Sequence, residues 1–139
     1  MPQKPNATQA IAVDAACSGN PGPMEYRGVF LPSGREIFRF GPIQGTNNIG
    51  EFLAIVHALA LQVQHGTAFP IYSDSRTALA WLRKGKSGTK LPRTHETARA
   101  LDLVSRAEHW LFTHDYSHIT VSKWETEQWG EVPADFGRK

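Results

Sequence analysis

Along the chain the spacing of apolar positions changes period several times, and each change marks an element. Ala10-Ile11-Ala12-Val13 is a short continuous apolar run ending at Asp14, and Pro70-Ile71-Tyr72-Ser73 is another ending at Asp74. Such runs read as buried strands. Tyr26 to Leu31 and Glu36 to Phe40 flank Pro32-Ser33-Gly34-Arg35, the pattern of two antiparallel strands joined by a hairpin turn. From Asn48 the period becomes helical: Phe52, Leu53, Ile55, Val56, Leu59, Ala60 and Val63 share one face, and Gly66 is placed to cap the end. Ser75 to Leu82 starts a second helix that Ser75 or Asp74 can cap. Arg83 to Arg93 is a basic, glycine-containing loop, His95 to Trp110 returns to helix, and Ile119 to Trp124 reads as the last strand. The tail from Gly130 has room for a helical turn or two. Strand, helix, strand across Pro70 is a βαβ unit, so the fold class is α/β.

Composition narrows this picture to one small domain. The 139 residues are 40% hydrophobic and 20% charged, enough apolar material for a single core. Residues 1–9, with two prolines, read as a flexible lead, and residues 10–139 as one catalytic-sized domain. The lone Cys17 precludes an internal disulfide and argues against a structural zinc site. No apolar stretch approaches the roughly 20 residues of a membrane span, and Met1 to Asn6 lacks a signal-peptide core. A cytoplasmic monomer with no membrane contact and no obligate protein partner is the expectation. The net charge of +2 is too small to identify a polyanion partner by itself, so the positions of the basic residues matter more.

The candidate chemistry is acidic. Asp14 and Asp74 sit at strand ends, where α/β sheets carry their sites, Glu51 opens the long helix after Thr46-Asn47-Asn48, and Asp135 lies in the tail. Together they suggest a nuclease. Phosphodiester hydrolysis needs an activated water and stabilised charge on both attacking and leaving oxygens, which two divalent ions about 3.5–4 Å apart can supply. Carboxylates select Mg2+ or Mn2+ over zinc. Taken singly, each acid also has a plain reading: a turn residue at Asp14, a first-turn helix acid at Glu51, an N-cap at Asp74, a tail charge at Asp135.

The motifs Asp14…Gly19-Asn20-Pro21-Gly22, Thr46-Asn47-Asn48-Ile49-Gly50-Glu51, Tyr72-Ser73-Asp74-Ser75 and Trp129-Gly130-Glu131 with Ala134-Asp135-Phe136-Gly137-Arg138-Lys139, in this order, resemble ribonuclease H type 1 from about Ile11 to Lys139. More narrowly they resemble the bacterial catalytic domains ending on this same tail. The resemblance implies a five-stranded mixed sheet with three antiparallel strands first, flanked by helices. It also implies an endonuclease that cuts the RNA strand of RNA–DNA hybrids, leaving 5′-phosphate and 3′-hydroxyl ends. In that family's terms Asp14 and Asp74 would bridge two Mg2+ ions, with Mn2+ as a substitute. Glu51 would hold the ion near the leaving group and Asp135 the ion that activates water. Glu131 matches the residue standing in for a mobile His, since no His lies between Thr120 and Asp135. His114 and His118 read as surface residues.

For the substrate, Asn20, Asn47 and the Ser18-Gly19 turn match positions on the RNA strand's minor-groove face, where a 2′-hydroxyl distinguishes RNA from DNA. Thr46, Asn48 and Thr89 match a phosphate site on the DNA strand, Thr126 a phosphate of the cleaved strand, and Trp81 a DNA sugar. Asn47 and Asn48 could equally cap the helix, Trp81 could be core, and the Arg83–Arg93 cations could be a solvated loop. Two departures stand out. Ala15-Ala16 follow Asp14 where the family often has Gly, and with the first strand so near residue 1 the separate N-terminal hybrid-binding domain of some relatives is not expected. The alternatives are a catalytically silent hybrid-binding module and a DNA-cutting recombinase or transposase core on the same fold.

Overall fold

The computed structural model describes residues 9–137, so all of the expected lead except Gln9 lies outside the described residues. The element order is β1 (Ala10–Cys17), β2 (Gly22–Leu31), β3 (Arg35–Gly45), α1 (Asn47–His65), β4 (Ile71–Ser73), α2 (Arg76–Lys84), α3 (Ala98–Thr113), β5 (Val121–Lys123) and α4 (Thr126–Trp129). The strands form one sheet in the order β3-β2-β1-β4-β5. The β1–β2 and β2–β3 pairs are antiparallel, whereas β1–β4 and β4–β5 are parallel. This is the five-stranded mixed sheet implied by the motifs.

Residues Ala10–Ala16 are central and buried along their whole length, which explains why, Asp14 apart, they are apolar on both faces instead of alternating. Its two faces feed two cores. Ile11, Val13 and Ala15 pack under α1 with Phe52, Ile55 and Leu59, while Ala10 and Ala12 meet Val29, Leu31, Trp124, Val132 and Ala134 on the opposite face. The C-terminal segment is therefore the second cover of the sheet.

Several expected boundaries move. Asp14 was expected to end β1, but the ladder with β2 continues to Cys17↔Met24, so Asp14 is inside the strand. The hairpin strands are also longer than their apolar cores, because paired backbone continues through polar and glycine positions to Gly22 and Gly45. Thr46, not Asn47 or Asn48, caps α1: its backbone is extended and its Oγ1 accepts from Ile49 N–H at 3.2 Å. Gly66 ends α1 in the left-handed conformation as expected, and Ser75 caps α2 through Ala78 N–H at 3.0 Å. Arg83 and Lys84 belong to α2, not to the basic loop. The third helix starts at Ala98 because Thr94 and Thr97 tie the preceding turn together through their hydroxyls. A single helical turn, α4, precedes Gly130. Among the described residues no helix is long and apolar enough to cross a membrane.

Candidate functional site

Three of the four acids meet. Asp14 projects from β1, Glu51 from the second turn of α1 and Asp74 from the residue after β4. One carboxylate oxygen of each lies within 4.8 Å of the others. The parallel β1–β4 register, Val13↔Ser73, places the two aspartates side by side. Glu51 reaches them because residue 50 is glycine. A β-carbon on Gly50 would stand 2.8 Å from Ala15 Cβ and 3.0 Å from Met24 Cγ and Sδ, so only glycine lets α1 lie this close to β1 and β2. Asp14 and Glu51 are buried at 0% and 1% exposure, whereas Asp74 is half-buried.

Ligands 2.0–2.1 Å from a magnesium ion stand at most about 4.2 Å apart, so oxygens gathered within 4.8 Å need to close by at most about 0.6 Å to share a hard cation. Without a cation, three carboxylates at one point repel one another, and burial of two of them strengthens that repulsion. The donor set is all oxygen, which fits Mg2+ or Mn2+ and not zinc.

Asp135 stands outside this trio. It is half-buried in the segment after α4, with its N–H on Val132 O at 2.8 Å and its Oδ2 accepting from Gly137 N–H at 2.9 Å. Glu131 is exposed, four positions earlier on the same segment. The fold of that segment hangs on Trp124, 1% exposed, whose Nε1 donates to Gly130 O at 2.9 Å and whose ring meets Tyr72 and Trp129 edge-on.

The expected substrate residues largely share one depression. Asn20, Thr46, Asn47, Asn48, Trp81 and Thr89 line a groove of about 600 Å3 closed by Gly88, Lys90 and Leu91. Asn20 Oδ1 accepts from Asn47 N–H at 3.0 Å, which ties the β1–β2 loop to the start of α1 and directs the Asn20 amide group outward. Trp81 packs edge-on against buried Phe52 at 5.8 Å and also lines the groove. Ser18 and Gly19 are exposed in the adjoining loop, with Gly19 at φ +112°. Thr126 opens α4 and borders a separate depression with Asp74, Arg76 and Lys123. Of the basic segment, Arg83, Lys84, Lys86 and Lys90 are exposed, but Arg93 is turned back onto Asp102 at 3.0 Å.

Burial shifts the titration of groups outside the carboxylate trio. Burial lowers the His57 pKa and pushes Tyr26 up to about 12, and the two side chains hydrogen-bond at 2.9 Å beneath α1. Burial also raises the Cys17 thiol. His114 and His118 are exposed, and His114 stacks on Trp110 at 4.4 Å. Sequence reasoning passed over Gly50, Arg27, Arg76 and Lys123. A signal existed for Arg27, which shares a strand face with the buried Val29 and Leu31.

The family model described as RNase H matches residues 6–128. Ribonuclease H of Neorickettsia sennetsu is 29% identical over 120 residues, covering 82% of this chain and 76% of that protein. Ribonuclease H of Chromobacterium violaceum is 34% identical over 101 residues, covering 72% and 67%. Among solved structures, LC11-RNase H1, isolated from compost and crystallised in complex with an RNA/DNA hybrid, aligns with a TM-score of 0.51 at 16% identity over 87% of this chain and 88% of its own. With its mixed sheet and its three acids drawn to one point, the chain belongs to the RNase H family as a type 1 catalytic domain.

Proposed function

We propose that this domain hydrolyses the RNA strand of RNA–DNA hybrids by a two-metal mechanism, leaving 5′-phosphate and 3′-hydroxyl ends. The observation that carries the reading is the pairing of the carboxylate trio with a groove lined by Asn, Thr and Trp. Paired Mg2+ ions, or Mn2+ in their place, would supply an activated water and stabilise charge on both reacting oxygens. Asp14 and Asp74 would ligate both ions, Glu51 the one on the leaving-group side and Asp135 the one on the water side.

The chain's other residues select and hold the duplex. The Asn20 amide, fixed through Asn47, can bond a 2′-hydroxyl on the minor-groove face together with the Ser18-Gly19 backbone. Thr46, Asn48 and Thr89 present hydroxyl and amide donors to one DNA phosphate, and the Trp81 face packs on a deoxyribose where an extra hydroxyl would not fit. Thr126, beside Asp74, can donate to a phosphate of the cleaved strand. Glu131, exposed near the opening, would assist exchange of metal and release of product. Exposed Arg83, Lys84, Lys86 and Lys90 add salt-dependent phosphate attraction. The reading includes a cytoplasmic monomer that needs no protein partner.

Competing hybrid, all-DNA and all-RNA duplexes in one reaction with Mg2+ tests substrate class. Cleavage confined to the RNA strand of the hybrid is expected. Asp14→Asn and Asp74→Asn should abolish cleavage and keep hybrid binding. Cutting of duplex DNA, or full activity in either variant, would overturn the assignment, and binding without cleavage by the unaltered protein would make it a silent binding module.

A further inference from the structure

Asp135 sits on a segment without regular structure after α4, so tertiary contacts must set its position. Those contacts converge on Arg27. In the β1–β2 ladder Asp14 lies opposite Arg27, and in the β2–β3 ladder Arg27 lies opposite Arg39. Directly paired residues point to the same side of a sheet, so Asp14, Arg27 and Arg39 form a row across three strands. The row lies on the face that Val132 and Ala134 cover.

Arg27 Nε donates to Ala134 O at 2.8 Å and its Nη2 to Asp135 O at 2.7 Å, bonds that span more than a hundred residues of chain. The Phe136 ring lies 5.0 Å from the Arg27 guanidinium carbon and 5.1 Å from that of Arg39. Two arginines paired directly across strands repel. Glu36, 3.6 Å from Arg27 and 3.7 Å from Arg39, and Glu25, 3.6 Å from Arg39, offset that repulsion, and the Phe136 face adds to the balance. The planar guanidinium fixes direction as well as distance, whereas lysine would offer one freely rotating charge. Because the two bonded carbonyls are consecutive, holding both orients the peptide that carries the Asp135 side chain.

We propose that Arg27, braced by Arg39 and Phe136, is a positioning residue that sets the Asp135 carboxylate relative to Asp14, so that divalent-cation affinity depends on it and hybrid affinity does not. The inference rests on the metal-dependent reading above. Its physical basis is preorganisation: an untethered Asp135 must be ordered each time an ion binds.

The test uses Arg27→Gln, Arg27→Lys and the milder Phe136→Leu, with Mn2+ as probe, its free concentration followed by electron paramagnetic resonance. Hybrid affinity is measured in parallel with Ca2+, and hydrogen exchange reports on residues 130–137 and on β1. Losing two charge-assisted bonds should raise the Mn2+ dissociation constant about tenfold in Arg27→Gln, and keeping one should raise it about threefold in Arg27→Lys. Phe136→Leu should shift it less, in the same direction, and it keeps the test usable if Arg27→Gln fails to fold. Hybrid affinity should stay within about twofold, β1 should remain protected, and the Asp135 and Gly137 amides should exchange faster. Unchanged Mn2+ affinity in all three variants overturns the clamp alone. Parallel loss of Mn2+ affinity, hybrid affinity and β1 protection also overturns it, by showing a merely structural role. Absence of Mn2+ binding by the unaltered protein overturns the metal reading itself.

Discussion

Replacing Asp14 by Asn removes one charge from the carboxylate trio and preserves its shape. At a separation of 4.8 Å two unit charges in an effective dielectric of about 20 repel by about 3.5 kcal/mol, and Asp14 faces two such partners. Half-buried Asp74 is reached by water, and the unfolded chain retains part of the repulsion, which leaves a net gain of about 1–3 kcal/mol for the variant in metal-free buffer. For a domain of this size that corresponds to a Tm increase of about 3–10 °C. Thermal melts in EDTA and across a Mg2+ titration measure it. The variant should melt higher than the native protein without metal. The native protein should then gain more from Mg2+, because an ion that binds the folded site more tightly stabilises it more. The difference should narrow as the ion is added, while cleavage is lost throughout. A variant melting at or below the native protein in EDTA, or an equal Mg2+ response in both, would refute the picture of a repelling, cation-seeking cluster.

Gly50→Ala should cost about 1–3 kcal/mol, since its β-carbon would meet Ala15 at 2.8 Å and Met24 at 3.0 Å. Cleavage measured where the variant is fully folded should fall further, because α1 carries Glu51 away from Asp14, and native rates would show that close packing does not place the acid. Trp81→Ala should cost about 1–3 kcal/mol through the Phe52 contact and weaken hybrid binding several-fold. Recovery of stability but not of binding in Trp81→Leu would separate core from groove, and binding unaffected in Trp81→Ala would remove the residue from the interface. Burial depresses the His57 pKa, so the unfolded chain takes up the proton more readily. Stability from this group is therefore complete above about pH 6.5 and is lost as pH falls through the folded pKa below it. His57→Gln should flatten the fall of Tm between about pH 7 and 5 relative to the native protein, and parallel curves would exclude His57 as its source.

Much of the architecture was legible because strands and helices leave local periods in a sequence. The run Ala10–Val13, the helical face Phe52–Val63 and the caps Gly66 and Ser75 each follow from nearby residues. Element ends were less legible for the same reason. β1 runs past Asp14 because β2 continues to pair with it, and the third helix waits until Ala98 because Thr94 and Thr97 bond across the turn. Neither partner is announced by periodicity. Six residues that match the motifs line one groove, and Arg93 in the loop pairs with Asp102 of α3, a contact that no local period announces.

The acids mark the same boundary between local and distant information. From the chain alone came their types, their places near strand and helix starts, and the oxygen-only chemistry that favours a hard cation. The tertiary structure decided which of them meet: the β1–β4 register aligns Asp14 with Asp74, and the bare α-carbon of Gly50 lets α1 deliver Glu51. It also brought Arg27 to the backbone carbonyls of Ala134 and Asp135, more than a hundred residues away in the chain. Hydrophobic period is written into neighbouring residues, whereas register and close approach depend on residues far apart in the chain, and only the folded packing brings those together.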